Sequence, residues 1–129
     1  SSAAKVGGAP SWENTMANVP GTMVIKDDGS LEIAWYGLED EDVGLPVEAP
    51  YWPKKSIQMI GDGTSVLVEG SNDGDNWDTL TDGNGNALTA LGEGEISNIG
   101  ENTKQVRVTV TGGVDNTVII IAAIGQVIL

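Results

Sequence analysis

From residue 22 onward the chain alternates apolar and polar positions in short runs, each closed by Gly, Asp or Asn. Thr22-Met23-Val24-Ile25-Lys26 and Leu31-Glu32-Ile33-Ala34-Trp35-Tyr36 flank Asp27-Asp28-Gly29-Ser30. Asp-Gly supplies the positive φ of a tight turn, so this stretch predicts a β-hairpin with Leu31, Ile33 and Trp35 on one face. Residues 56–60 and 65–70 are strand-like runs separated by Gly61-Asp62-Gly63-Thr64, and residues 77–81 follow the turn Ser71-Asn72-Asp73-Gly74. There Val66, Val68 and Gly70 alternate with Leu67 and Glu69, and Trp77 is expected to point inward beside Leu80 and Val68. Asp82-Gly83-Asn84-Gly85-Asn86 is another turn, before a weaker apolar stretch at 87–91. The clearest period of two is Lys104-Gln105-Val106-Arg107-Val108-Thr109-Val110-Thr111, which predicts a strand with one buried and one wet face.

The end of the chain breaks this alternation. Val118-Ile119-Ile120-Ile121-Ala122-Ala123-Ile124 is apolar on both faces and is followed by Val127-Ile128-Leu129. Such a strand must be covered on both sides: either it is the central strand of the core, or one face, or the final three residues, is buried against another chain. Residues 1–21 show no sustained period and few apolar side chains apart from Trp12, and read as an extended N-terminal arm. Residues 37–53, with Glu39-Asp40-Glu41-Asp42 and Pro46, Pro50 and Pro53, read as a long acidic loop. No stretch carries a long helical period. The expected fold is therefore all-β: one antiparallel β-sandwich or jelly roll of about seven or eight strands over residues 22–129, with the extended arm in front of it.

Composition narrows the function. Within 129 residues there is no Cys and no His, so thiolate metal sites, Cys nucleophiles and the usual base of hydrolytic triads are missing. No motif marks a Ser or Thr nucleophile with a Lys base, and the chain reads as a non-enzyme. Six Lys and Arg against 19 Asp and Glu give a net charge of −13, the wrong sign for neutralising phosphates or for adhering to an anionic membrane. The longest uncharged apolar stretch, residues 118–129, is too short to span a bilayer. The expectation is a soluble protein made in the cytoplasm, with neither nucleic acid nor membrane as a partner.

Asp82, Asn84, Asn86 and Glu93 fall at positions 1, 3, 5 and 12 of an EF-hand-like spacing, but Ala87 stands where that loop needs Gly and no helix flanks it. Neither a metal nor a cofactor is expected. The acidic run at 39–42 reads as a solvated charge patch. The aromatic residues are Trp12, Trp35, Tyr36, Tyr51, Trp52 and Trp77, with no Phe. Exposed on a sandwich, Tyr51 and Trp52 would stack on a sugar ring; otherwise each Trp plugs the small core or an interface.

The run Val68-Glu69-Gly70-Ser71-Asn72-Asp73-Gly74-Asp75-Asn76-Trp77-Asp78-Thr79-Leu80-Thr81-Asp82, then Gly85-Asn86-Ala87-Leu88 and Val106-Arg107-Val108-Thr109-Val110-Thr111-Gly112-Gly113, resembles a family of small β-sandwich virion proteins of tailed bacteriophages. A similar Ser-Asn-Asp-Gly turn before Trp occurs in discoidin-like sugar-binding sandwiches. The phage resemblance implies a capsid decoration or cement protein on the outside of the head, with the major capsid protein as its partner. The alternatives are a head-fibre or tail component and a carbohydrate-binding module with a glycan ligand. The two ends of the chain point to a homo-oligomer, expected as a trimer. Trp12, Tyr51, Trp52, Val127, Ile128 and Leu129 are the residues expected at the oligomer or capsid interface.

Overall fold

A computed structural model describes residues 18–113 and 116–127. The elements are β1 (Asn18–Val19), β2 (Thr22–Ile25), β3 (Leu31–Leu38), β4 (Val43–Glu48), β5 (Lys54–Ile60) and β6 (Ser65–Ser71). They continue as β7 (Asp78–Thr79), β8 (Leu91–Gly92), β9 (Ile96–Ile99), β10 (Gln105–Thr111) and β11 (Thr117–Ile124). No helix occurs among the described residues.

Two sheets face each other. The front sheet has the order β2-β3-β11-β5-β9; the back sheet has β1-β4-β10-β6-β7, with β8 added on β6. Pairing is antiparallel except for β1 against β4. Strands β3, β4, β5 and β6 cross between the sheets in turn, as do β9, β10 and β11. Four front strands (β3-β11-β5-β9) facing four back ones (β4-β10-β6-β7) make the strand order of a jelly roll.

The expected hairpin is β2 and β3, with Ile25 opposite Leu31 and Gly29 at φ 85° in its turn. The Val-rich strand is β10, paired with β6 from Gln105 opposite Ser71 to Thr111 opposite Ser65. The apolar terminal strand is β11, central in the front sheet between β3 and β5. Its inner residues Ile119, Ile121 and Ala123 are completely buried.

The core lies between the sheets, and Trp35 ties them together. Its indole is fully buried, and its ring N–H donates to the Leu45 carbonyl of β4 at 3.1 Å, from one sheet to the other. Gly44 makes room for it: a Cβ there would meet Val108 at 2.5 Å and the Trp35 ring at 2.9 Å. Burying a large ring and satisfying its one polar atom is the arrangement that stabilises most per residue in so small a core.

Three expectations are corrected. Residues 37–53 are not one loop, because β4 runs through them between β1 and β10. Pro46 is tolerated because the register of β4 against β10 shifts there, between the pairs Val106–Val47 and Val108–Gly44, and a bulge does not need the missing N–H. The arm assigned to residues 1–21 gives up Asn18–Val19 to β1; residues 1–17 lie outside the described residues. Trp77 does not enter the core. Leu80, 4% exposed, takes the inward position, and Trp77 is half-buried on the outside of the back sheet.

Candidate functional site

Strand parity gives each sheet an outer face. On the front sheet, register places Thr22 and Val24 of β2 beside Ala34 and Glu32 of β3, then Ile120 and Ala122 of β11, Gln58 and Ser56 of β5, and Ile96 and Asn98 of β9. Val118 and Ile60, and Ile124 and Lys54, extend the rows at either end. This face is mainly aliphatic and largely open: Val24 is 48% exposed, Ile96 66% and Ile124 54%, and Tyr36 and Ile60 are also exposed, while Ala34 is buried. Glu32 is the only acid among the five strands, and Lys26 holds it at 3.1 Å.

The outer face of the back sheet is built differently. Arg107 on β10 stands opposite Glu69 on β6, donates to its carboxylate at 3.0 Å, and lies 4.2 Å over the Trp77 ring. Gln105 donates to Glu48 at 3.1 Å. Here the side chains use their polar groups on one another, and the phrase that carries the phage resemblance, from Glu69 through Trp77 to Arg107, is one cross-strand brace. The turn leading to Trp77 is equally self-contained. The Asn76 N–H and side-chain amide, then the Asp75 N–H and the Ser71 hydroxyl, hold the Asp73 carboxyl well below the usual carboxylate range.

Of the residues expected at an interface, the structure brings two together. The Val127 N–H donates to the Tyr51 carbonyl at 2.7 Å, and both side chains are about half exposed, at the end of the sandwich where β11 finishes. Trp52, next to Tyr51, is instead 8% exposed and in the core, its ring N–H donating to Gly29 at 2.9 Å. Trp12, Ile128 and Leu129 lie outside the described residues.

The acidic turns bind backbone. Asp82 accepts from the N–H groups of Asn86 at 3.0 Å and Asn84 at 2.8 Å, which pull its carboxyl below the ordinary value. That is a closed Asx turn rather than an open cage, and no group of three or more acids is gathered for a metal among the described residues. The run at 39–42, expected as a solvated patch, is partly structural. Asp42 is fully buried and accepts from the Glu39 N–H at 2.9 Å, while Asp40 accepts from the Gly112 N–H at 2.6 Å. The Asp42 bond closes the β3–β4 turn, where Glu41 is left-handed at φ 68°, and the Asp40 bond fastens that turn to the β10–β11 turn.

One polar residue escaped the sequence reading. Lys55 on β5 is 4% exposed; burial lowers its pKa to about 8, and its ammonium donates to the Asn102 side chain, which in turn donates to the Pro50 carbonyl. Its position in a run of polar and apolar residues gave no sign of this, because burial depends on β9 and the chain beyond it. Beside it, a shallow groove of about 480 Å³ runs along the front face between Lys54, Ser56, Asn98 and Ile124, and no aromatic ring lines it.

No family model and no curated protein matches the chain. Among solved structures it is similar to a cupin domain from Bordetella pertussis Tohama I, with 13% identity and a TM-score of 0.46 over 84% of this chain and 95% of that one. It is similar to KdgF from Halomonas sp. at 12% identity and TM-score 0.45, covering 82% and 78%. A low-affinity xylan-binding module from Roseburia intestinalis gives 13% and 0.40, covering 80% and 82%. The jelly-roll topology itself rests on the strand order.

Proposed function

We propose that this chain is a non-enzymatic structural protein of a tailed-phage virion, bound on the outside of the head as a decoration or cement protein and stabilising it. The observation that carries this reading is the division of its surface. A chain of net charge −13 keeps one broad sheet face almost free of acids and lined with exposed aliphatic side chains, so contact rather than chemistry is what that face offers. The resemblance through Glu69–Trp77 and Arg107 supplies the virion setting. A stiff jelly roll seated in many copies gains affinity by repetition, since neighbouring contacts raise the effective concentration of each one. The acidic remainder keeps the free protein soluble before assembly.

The test is sedimentation of the purified protein with undecorated heads. Saturable recovery in the pellet, absent without heads, is the expected result, and labelling on tails or fibres alone would move the protein to those structures. Failure to sediment, together with binding on a glycan array, would replace this reading with the sugar-binding one, for which the groove beside Lys54 and Asn98 is the place to look.

A further inference from the structure

We infer that the outer face of the front sheet is covered by a second copy of this chain, face to face about a two-fold axis. The inference rests on the decoration reading and names the partner of that face before any capsid is met. Five strands of four to eight residues, about 4.8 Å apart with about 3.3 Å per residue, make a plane on the order of 500 Å², and side-chain relief raises the accessible area. That is most of the roughly 800 Å² per partner that a stable association buries.

Charge selects the partner. Two bodies of −13 repel each other, and they can meet closely only where the acids are missing. Among the described residues this is the front face, whose single acid, Glu32, is already neutralised by Lys26 at 3.1 Å. Symmetry follows from the same fact. A three-fold ring needs two different complementary patches, whereas the other sheet face is committed to its own polar pairs, Arg107 with Glu69 and Gln105 with Glu48. A single self-complementary patch closes as a pair. The exposed Tyr51 and Val127, at the end of the sandwich, then remain available to the shell.

Sedimentation equilibrium over a wide concentration range decides it, using the full chain, Ile96→Glu and Ile124→Glu, with Thr109→Glu on the back sheet as control. Ile96 and Ile124 are both more than half exposed, so an acid there stays solvated and leaves the monomer folded, which circular dichroism checks. The expected result is a dimer whose dissociation constant rises at least about tenfold in each front-face variant and stays within about twofold in the control. A monomer at every concentration, or a dimer weakened only by Thr109→Glu, would overturn the inference. A monomer that still sediments with heads would leave the decoration reading standing. A dimer that ignores heads would do the reverse.

Discussion

The two outer faces of this sandwich are both built on central antiparallel strands of six to eight residues, yet they solve opposite problems. On the back sheet every long polar side chain described has a neighbour to satisfy it: Glu48 with Gln105, and Glu69 with Arg107, which also stacks on Trp77. Water can lie over that face at no cost. On the front sheet Val24, Ile60, Ile96 and Ile124 leave aliphatic surface in solvent, and the polar residues beside them, Thr22, Glu32, Gln58 and the groove residues Lys54, Ser56 and Asn98, are scattered among the apolar ones. The difference teaches that β11 is apolar on both sides for two separate reasons: its inner residues build the core, and its outer ones belong to the aliphatic face for which we propose a contact role.

The largest effect expected from this contrast comes from the two exchanged roles of tryptophan. Trp35→Ala empties the centre of the core and removes the bond to Leu45, and should cost about 3–5 kcal/mol in urea unfolding. Trp77→Ala on the back face should cost about 1 kcal/mol, since it loses a partly exposed stacking contact with Arg107. Equal losses for the two would mean that the back face is part of the core after all.

Lys55 gives the next effect. Its folded pKa, about 8, lies below the ordinary 10.5. Between those two values the unfolded chain holds a proton that the folded chain has released, so stability should rise as pH climbs from about 8 to 10.5 and stay flat below. Lys55→Met should therefore stabilise the protein at pH 7 by about 1–2 kcal/mol, the nearby solvent at Asn102 limiting the gain, and should abolish the alkaline rise. Melting curves across that range check both, and an unchanged alkaline rise in the variant would assign it to another group.

Smaller effects separate the faces themselves. Arg107→Ala and Glu69→Ala should show a coupling of about 0.5–1 kcal/mol in a double-mutant cycle, because the pair is only partly shielded. Ile96→Ser on the front face should change monomer stability by less than about 0.5 kcal/mol while weakening any association through that face. Smallest of all, chelator should shift the melting temperature by less than about 2 °C, since the Asp82 carboxylate is occupied by backbone N–H groups; a shift of 5 °C or more would reveal a cation held there.

Much of this was legible in the chain and some was not, for physical reasons. The β2–β3 hairpin, β10 and β11 are written in local alternation and in Asp-Gly, which act over neighbouring residues. Strand β4 was hidden by Pro46 and the acids before it, because it becomes a strand only by pairing with β10, some sixty residues away. Strand β9 (Ile96–Ile99) is too short to show a period, and it forms on β5. Trp77 was misplaced because the turn held by Asp73 ends one position out of phase with the core, leaving Leu80 to fill it. Of the residues expected at an interface, Tyr51 and Val127 are exposed and joined by a backbone hydrogen bond, whereas Trp52 is needed inside; the aliphatic rows of the front face appear only once five strands are aligned.

Hydroxyl-radical footprinting of the full chain, free at low concentration, associated at high concentration and bound to heads, reads both faces at once. The account predicts that Ile60, Ile96, Ile120 and Ile124 become protected on association and remain so on heads, with Tyr51 and Val127 added only there, while Trp77 reacts equally in all three states. Protection centred on Trp77, with the front-sheet isoleucines unchanged, would contradict it.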